Sequence, residues 1–129
     1  MRITLNSVLV DDQSKALTFY TKVLGFIASQ DVPVGEFRWL TVRSPEGGET
    51  ELTLEPNANP AAKAYQAALF EQRIPLTAFE VDDIKAEFQR LRAKGVEFTT
   101  EPMQAGPVRI AVFSDTCGNL IQIYQRPGV

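Results

Sequence analysis

The tripeptide Val10-Asp11-Asp12 returns as Val81-Asp82-Asp83, 71 residues further along the chain. An internal repeat constrains a fold more than any local propensity, because each copy must bury its apolar face against the same kind of neighbour. Lys15-Ala16 returns as Lys85-Ala86 and Gly25 as Gly95, at an offset of 70. Further on the offset is 71 again: Arg38 matches Arg109, Gly47 matches Gly118, Leu52 matches Ile123 and Pro56 matches Pro127. One register therefore covers helix caps, glycines and strand ends. It predicts two copies of one unit, with one residue fewer in the second helix.

Periodicity gives the content of each copy. Arg2 to Val10 is apolar and rich in β-formers, and reads as a strand. Asp11, Asp12 and Ser14 offer oxygens to cap a helix, and Ala16, Leu17, Phe19, Tyr20, Val23 and Leu24 follow at helical spacing. Gly25 is a natural stop. Phe26 to Val34, Phe37 to Arg43 and Thr50 to Glu55 read as strands, the last two separated by the turn Pro45-Glu46-Gly47-Gly48. A helix over Ala62 to Gln72 follows a Pro/Asn/Ala connection. The second copy then reads as strand Leu76 to Val81, helix Ile84 to Ala93, and strands Val96 to Thr100, Val108 to Ser114 and Leu120 to Gln125. The prediction is an α+β fold in one domain over 1–129. Its first βαβββ module covers about 1–57, its connection about 58–74 and its second module about 75–129. Asn57 to Ala68 reads either as a plain linker or as a lid on a pocket.

Composition excludes several function classes. The chain has no histidine and one cysteine. That removes the Ser-His and Cys-His nucleophile systems and the usual zinc site, and leaves any metal only oxygen ligands. The formal net charge is −3, with 13 basic and 16 acidic residues. A nucleic-acid partner is not expected from such a balance. Neither a signal peptide nor an apolar run approaching the roughly 18 residues of a membrane span stands out, so the expectation is a cytoplasmic protein with no membrane partner. A lone cysteine in the turn Asp115-Thr116-Cys117-Gly118-Asn119, with no basic neighbour in sequence, is not expected to be a reactive thiol.

Val10-Asp11-Asp12, Ala16-Leu17-Thr18-Phe19-Tyr20 and Leu24-Gly25-Phe26 together resemble the first module of the vicinal oxygen chelate superfamily. That group holds glyoxalase I, bleomycin-resistance proteins, fosfomycin-resistance enzymes and extradiol dioxygenases. Ala78-Phe79-Glu80-Val81-Asp82-Asp83-Ile84, Lys94-Gly95-Val96, Phe113-Ser114-Asp115 and Gly118-Asn119-Leu120-Ile121 resemble its second module. The resemblance implies that the curved sheets of the two modules form an open barrel-like cleft, and that the chain forms homodimers. It says less of activity, since fold does not imply function.

In metal-dependent members, the first and last strands of each module supply four ligands. The resemblance places these at Leu5, Glu51, Leu76 and Gln122, and the 71-residue register relates Leu5 to Leu76 and Glu51 to Gln122. Leucine has no donor atom, and an amide oxygen is a weak ligand. The expectation is therefore no cofactor and no metal site, although a weakly held divalent ion stays compatible with Glu51.

Alternation places Leu5, Ser7 and Leu9 on one face of their strand, with Glu51, Thr53 and Glu55 on one face of theirs. Leu76 with Ala78, and Gln122 with Tyr124, follow in the second module. The candidate ligand-binding set is Leu5, Ser7, Trp39, Glu51, Leu76, Gln122 and Tyr124. Glu51 is also the candidate catalytic base, with a pKa expected to rise on burial. Arg38 and Arg109 read either as an anion clamp or as surface ion pairs, and the apolar neighbours of Arg38 do not decide its face. Asp11-Asp12 and Asp82-Asp83 read as helix caps. The function expected is small-molecule binding of the bleomycin-resistance type. The alternatives are a glyoxalase-like lyase or isomerase using Glu51 with a weakly held metal, and an accessory subunit with an empty cleft.

Overall fold

The computed structural model describes residues 1–128. Strand β1 (Leu5–Val10) leads into helix α1 (Gln13–Thr18), which continues as a π-helical turn over Phe19–Val23. Strands β2 (Ile27–Val34), β3 (Phe37–Arg43) and β4 (Glu51–Pro56) complete the first module. Helix α2 (Pro60–Glu71) lies in the connection. The second module is β5 (Thr77–Glu80), α3 (Ile84–Ala93), β6 (Phe98–Ala105), β7 (Val108–Ser114) and β8 (Leu120–Gln125). Each module forms one four-stranded sheet, in the orders β1-β4-β3-β2 and β5-β8-β7-β6. The outer pairs β1–β4 and β5–β8 are parallel and the rest antiparallel. Neither sheet closes into a barrel. The fold is α+β, as the repeat predicted.

The caps are those read from the sequence. Asp12 and Asp83 have extended backbones, and their carboxylates accept from Lys15 N and Ala86 N. The one-residue difference between the helices also has a physical cause. A π-turn absorbs one extra residue in a helix, and it does so here after Ala16, so Lys15, which donates to its cap as Ala86 does to Asp83, corresponds to Ala86 and not to Lys85. Leu24 N donates to Phe19 O, five residues back, so the offset falls from 71 at the cap to 70 at the glycines. Gly25 and Gly95 both close their helices at positive φ, +93° and +88°.

One core joins the modules. Val8, Val10, Leu40, Val42 and Leu54 are buried together with Ala16, Phe19 and Tyr20, and with Ile84, Leu91, Phe113 and Ile123 of the second module. Phe19 lies on Phe113 and Phe26 on Phe79 across the boundary, with ring centroids 6.3 and 5.2 Å apart. The guanidinium of Arg90 in α3 donates to Val23 O and Leu24 O, and Lys94 donates to Lys22 O. These cations sit on the orphan carbonyls that end the first helix, where positive charge is favoured. α1 covers one face of the first sheet and leaves the other open.

The register departs from expectation in the last strands. Thr41 is level with Thr53, while Val112 is level with Gln122. β3 and β7 keep the offset of 71, but β4 and β8 are related by 69, because the loop from β3 to β4 is two residues longer than its counterpart from β7 to β8. Gln122 is thus the counterpart of Thr53. Glu51 corresponds to Leu120, and Leu52 to Ile121 rather than Ile123.

Candidate functional site

The open face of the first sheet is built around Glu51. It stands level with Leu5 on β1 and Arg43 on β3. Next along the face come Ser7, Thr53 and Thr41, level with one another across three strands. Glu51 Oε1 accepts from Thr41 Oγ1 at 2.6 Å and from Gln30 Nε2 at 3.3 Å. Gln30 Oε1 in turn accepts from Trp39 Nε1 at 3.0 Å, and Gln30 N donates to Thr41 Oγ1 at 3.1 Å. Trp39 is therefore tied to Glu51 through one amide.

These donors decide the charge of Glu51. Its pKa is lowered, first by the Thr41 hydroxyl, then by Ser29, with Gln30 and the Arg43 charge adding smaller amounts against a desolvation effect. Hydrogen bonds to the ionised form stabilise that form. The rise on burial expected from the sequence is thus corrected: the group is half-buried, and its neighbours donate rather than exclude water. Glu51 is a fixed anion here, and a weaker base than a free carboxylate.

Ser7, Glu51 and Leu76 come together around a pocket of about 400 Å³ at the boundary of the modules, with Ala78 and Phe26 beside them. Leu5 is level with Glu51 but 45% exposed, outside the pocket lining. Gln122 and Tyr124 lie on the corresponding face of the second sheet, level with Ala78 and Glu80 of β5. The symmetric square of Leu5, Glu51, Leu76 and Gln122 does not form. Leu5 is level with Glu51, whereas Gln122 is level with Ala78, two residues past Leu76. That set does not fit a divalent ion: two of its members are leucines with no donor atom, which leaves one carboxylate and one weakly ligating amide.

Sequence reasoning missed Gln30 and Thr41, and placed Thr53 on the face of Glu51 without making it a candidate. Thr41 is a lone hydroxyl between Leu40 and Val42, which is a legible signal. Gln30 follows an irregularity in the β2 register after Ala28, so simple alternation cannot place it. Thr53 is 3% exposed and its hydroxyl has no hydrogen-bond partner among the described residues.

Other candidates lie elsewhere. Arg38 faces α1 and grips Asp31 through two bonds of 3.0 and 2.8 Å, with Ser14 Oγ at 2.7 Å. Arg109 shares that strand position in β7, on the face of Ala111 and Phe113, away from the open face. The pair forms no clamp. Cys117 is buried, and desolvation, then the Asp115 charge, pushes its thiol up to about 12. The lid reading of Asn57 to Ala68 is corrected too, since no residue of α2 lines the pocket. Instead Gln66 Nε2 donates to Leu9 O, Cys117 O and Asn119 Oδ1, which holds α2 over the junction of β1 and the β7–β8 loop.

Residues 2–123 match the family model of the Glyoxalase/Bleomycin resistance protein/Dioxygenase superfamily. The chain belongs to this superfamily. Within reach of its sequence is YurT of Bacillus subtilis (strain 168), an uncharacterized protein 57% identical over 98% of this chain and 100% of its own. Among solved structures, UcmS2 superposes with a TM-score of 0.83 at 31% identity, covering 96% of this chain and 97% of its own. TnmS3, an antibiotic binding protein from Streptomyces sp. CB03234, superposes at 0.78 with 32% identity, covering 98% and 96%. The superfamily fold agrees with the two-module architecture above. No three His, Cys, Asp or Glu side chains among the described residues are grouped to hold a metal ion.

Proposed function

We propose that this chain is a small-molecule binding protein of the antibiotic-binding kind, acting without a tightly held metal. The observation that carries the reading is the ionised Glu51, fixed by Thr41 and Gln30 on an open sheet face beside the apolar Leu5 and Leu76. Such a site suits a ligand with an apolar body and one cationic or hydrogen-bond-donating group. TnmS3, at 32% identity over nearly the whole chain, gives this reading its antibiotic class. The lyase or isomerase alternative asks Glu51 to take up a proton, and its donors oppose that. We further propose that Gln122 and Tyr124 face the same ligand from a second sheet, that the chain works as a homodimer, and that it resides in the cytoplasm. No helix of the described residues is long and apolar enough to cross a membrane.

The test is a screen of antibiotics by Trp39 fluorescence, because Trp39 reaches Glu51 through Gln30. A compound that binds saturably is expected to lose about 1.5–3 kcal/mol of affinity in Glu51→Gln, the range of a charged hydrogen bond. Unchanged binding in that variant would overturn the site. Elemental analysis of the purified protein is expected to find no stoichiometric Zn, Ni, Fe or Mn; a stoichiometric ion would favour the enzyme reading.

A further inference from the structure

A larger cavity, of about 650 Å³, opens where the β3–β4 loop meets β5 and α3. It adjoins the smaller pocket, sharing Phe26, Ser44, Ala78 and Phe79 with it, but Glu51 does not line it. Its interior is apolar, formed by Phe26, Phe79, Val81, Leu91 and Phe113. Its rim carries five carboxylates, those of Glu46, Glu80, Asp82, Asp83 and Glu87, against the one guanidinium of Arg90. Glu87 is occupied by Arg90 at 2.8 Å, Glu80 by Arg126, and Asp83 by the cap of α3. Glu46 and Asp82 make no side-chain hydrogen bond or ion pair among the described residues.

The repeat shows that this space is not an accident of loop packing. At an offset of 71, Asp82 corresponds to Asp11 and Glu46 to Cys117. In the related place Asp11 N donates to Cys117 O at 3.2 Å, and Gln66 ties the loop to the end of β1. That junction is closed by the chain itself. Around Glu46 and Asp82 the equivalent junction stands open, and the loop there is the one with two extra residues.

We propose that this cavity is a second binding site, for a small organic cation with an apolar body. Its volume falls in the range of roughly 300–1,000 Å³ that holds small ligands. The apolar walls favour a body without polar groups. The unpaired Glu46 and Asp82 favour positive charge and repel anions, while the rings of Phe26 and Phe79 add a surface that tolerates a cation. The inference stands apart from the cleft reading, since it rests on Glu46 and Asp82 rather than on Glu51.

The experiment compares tetraphenylphosphonium with tetraphenylborate, near-equal in size and opposite in charge, by calorimetric titration of the full chain. In the Glu51→Gln background, where the cleft lacks its carboxylate, the cation is expected to bind at one per chain and the anion not to bind. The double variant Glu46→Gln/Asp82→Asn, both at exposed positions, should weaken the cation about tenfold. Ala86→Trp, on an exposed turn of α3 that lines the cavity, should abolish binding by filling it. Equal binding of the two ions, no binding of either, or full binding in Ala86→Trp would overturn the proposal. So would a loss confined to Glu51→Gln, which would assign the cation to the cleft instead.

Discussion

Glu51 draws its character from side chains that are distant in sequence. Thr41 stands ten residues away and Gln30 twenty-one, and β-pairing brings both to one carboxylate. Thr41→Val removes the shortest of these donors while keeping the shape of the side chain. The Glu51 carboxyl pKa is then expected to move up toward the ordinary range, read by NMR titration of its side-chain carbon. The sign for stability follows from proton counting. A carboxyl with a lowered folded pKa adds stability above its unfolded value and loses it as pH falls through the folded value, because the unfolded chain takes up the proton first. Thr41→Val should therefore flatten the acid limb of the stability curve. An unchanged Glu51 titration would show that Thr41 does not govern its charge. Asp115 behaves in the opposite sense: burial raises its pKa, although Tyr20 Oη at 2.6 Å and Asn119 Nδ2 at 2.8 Å both donate to it.

Among the elements, α2 is the one whose role only contacts explain. Its cap, Asn59 accepting from Ala61 N, and the proline that starts it are local devices. Its position depends on Gln66, buried and shared between the end of β1 and the β7–β8 loop. Gly118 leaves the necessary room: its φ is +99°, and a Cβ there would meet Gln66 Nε2 at 2.9 Å. Gln66→Ala leaves the buried Asn119 side chain and the Leu9 and Cys117 carbonyls with fewer partners. It is expected to cost about 1–3 kcal/mol in urea unfolding and to speed amide exchange across α2. Exchange as slow as in the parent chain would mean that packing alone holds the helix.

On the scale of the whole molecule, the open sheet faces call for a cover. Val32 and Val34 stand level with Trp39 and Phe37 on the first sheet, and Met103 stands level with Ile110 on the second. Val32, Val34, Phe37 and Met103 are exposed. β2 and β6 also end their sheets with unpaired edges. Apolar faces and free edges of this kind favour association with a second copy. Sedimentation at micromolar concentration is expected to give twice 14.3 kDa, and Val32→Asp/Val34→Asp to shift the mass toward the monomer. A monomer over a wide concentration range would leave these faces without a partner in solution.

The sequence by itself determined the elements and their order. Apolar periodicity, the Asp12 and Asp83 caps and the Gly25 and Gly95 stops are local signals, and the helix Ile84–Ala93 and the strands Phe37–Arg43, Val108–Ser114 and Leu120–Gln125 lie where those signals put them. Strand parity also separated the core face of Val8 and Val10 from the open face of Leu5 and Ser7, because the side-chain period of a strand is fixed at two. What a strand is level with is not local. A loop longer by two residues keeps that parity, so β4 and β8 show the same faces while Glu51 and Gln122 lose their equivalence. The face of Arg38, the link from Trp39 through Gln30 to Glu51, and the direction of the Glu51 pKa were decided the same way. Each depends on which strands lie side by side and in what register, which only the tertiary structure sets.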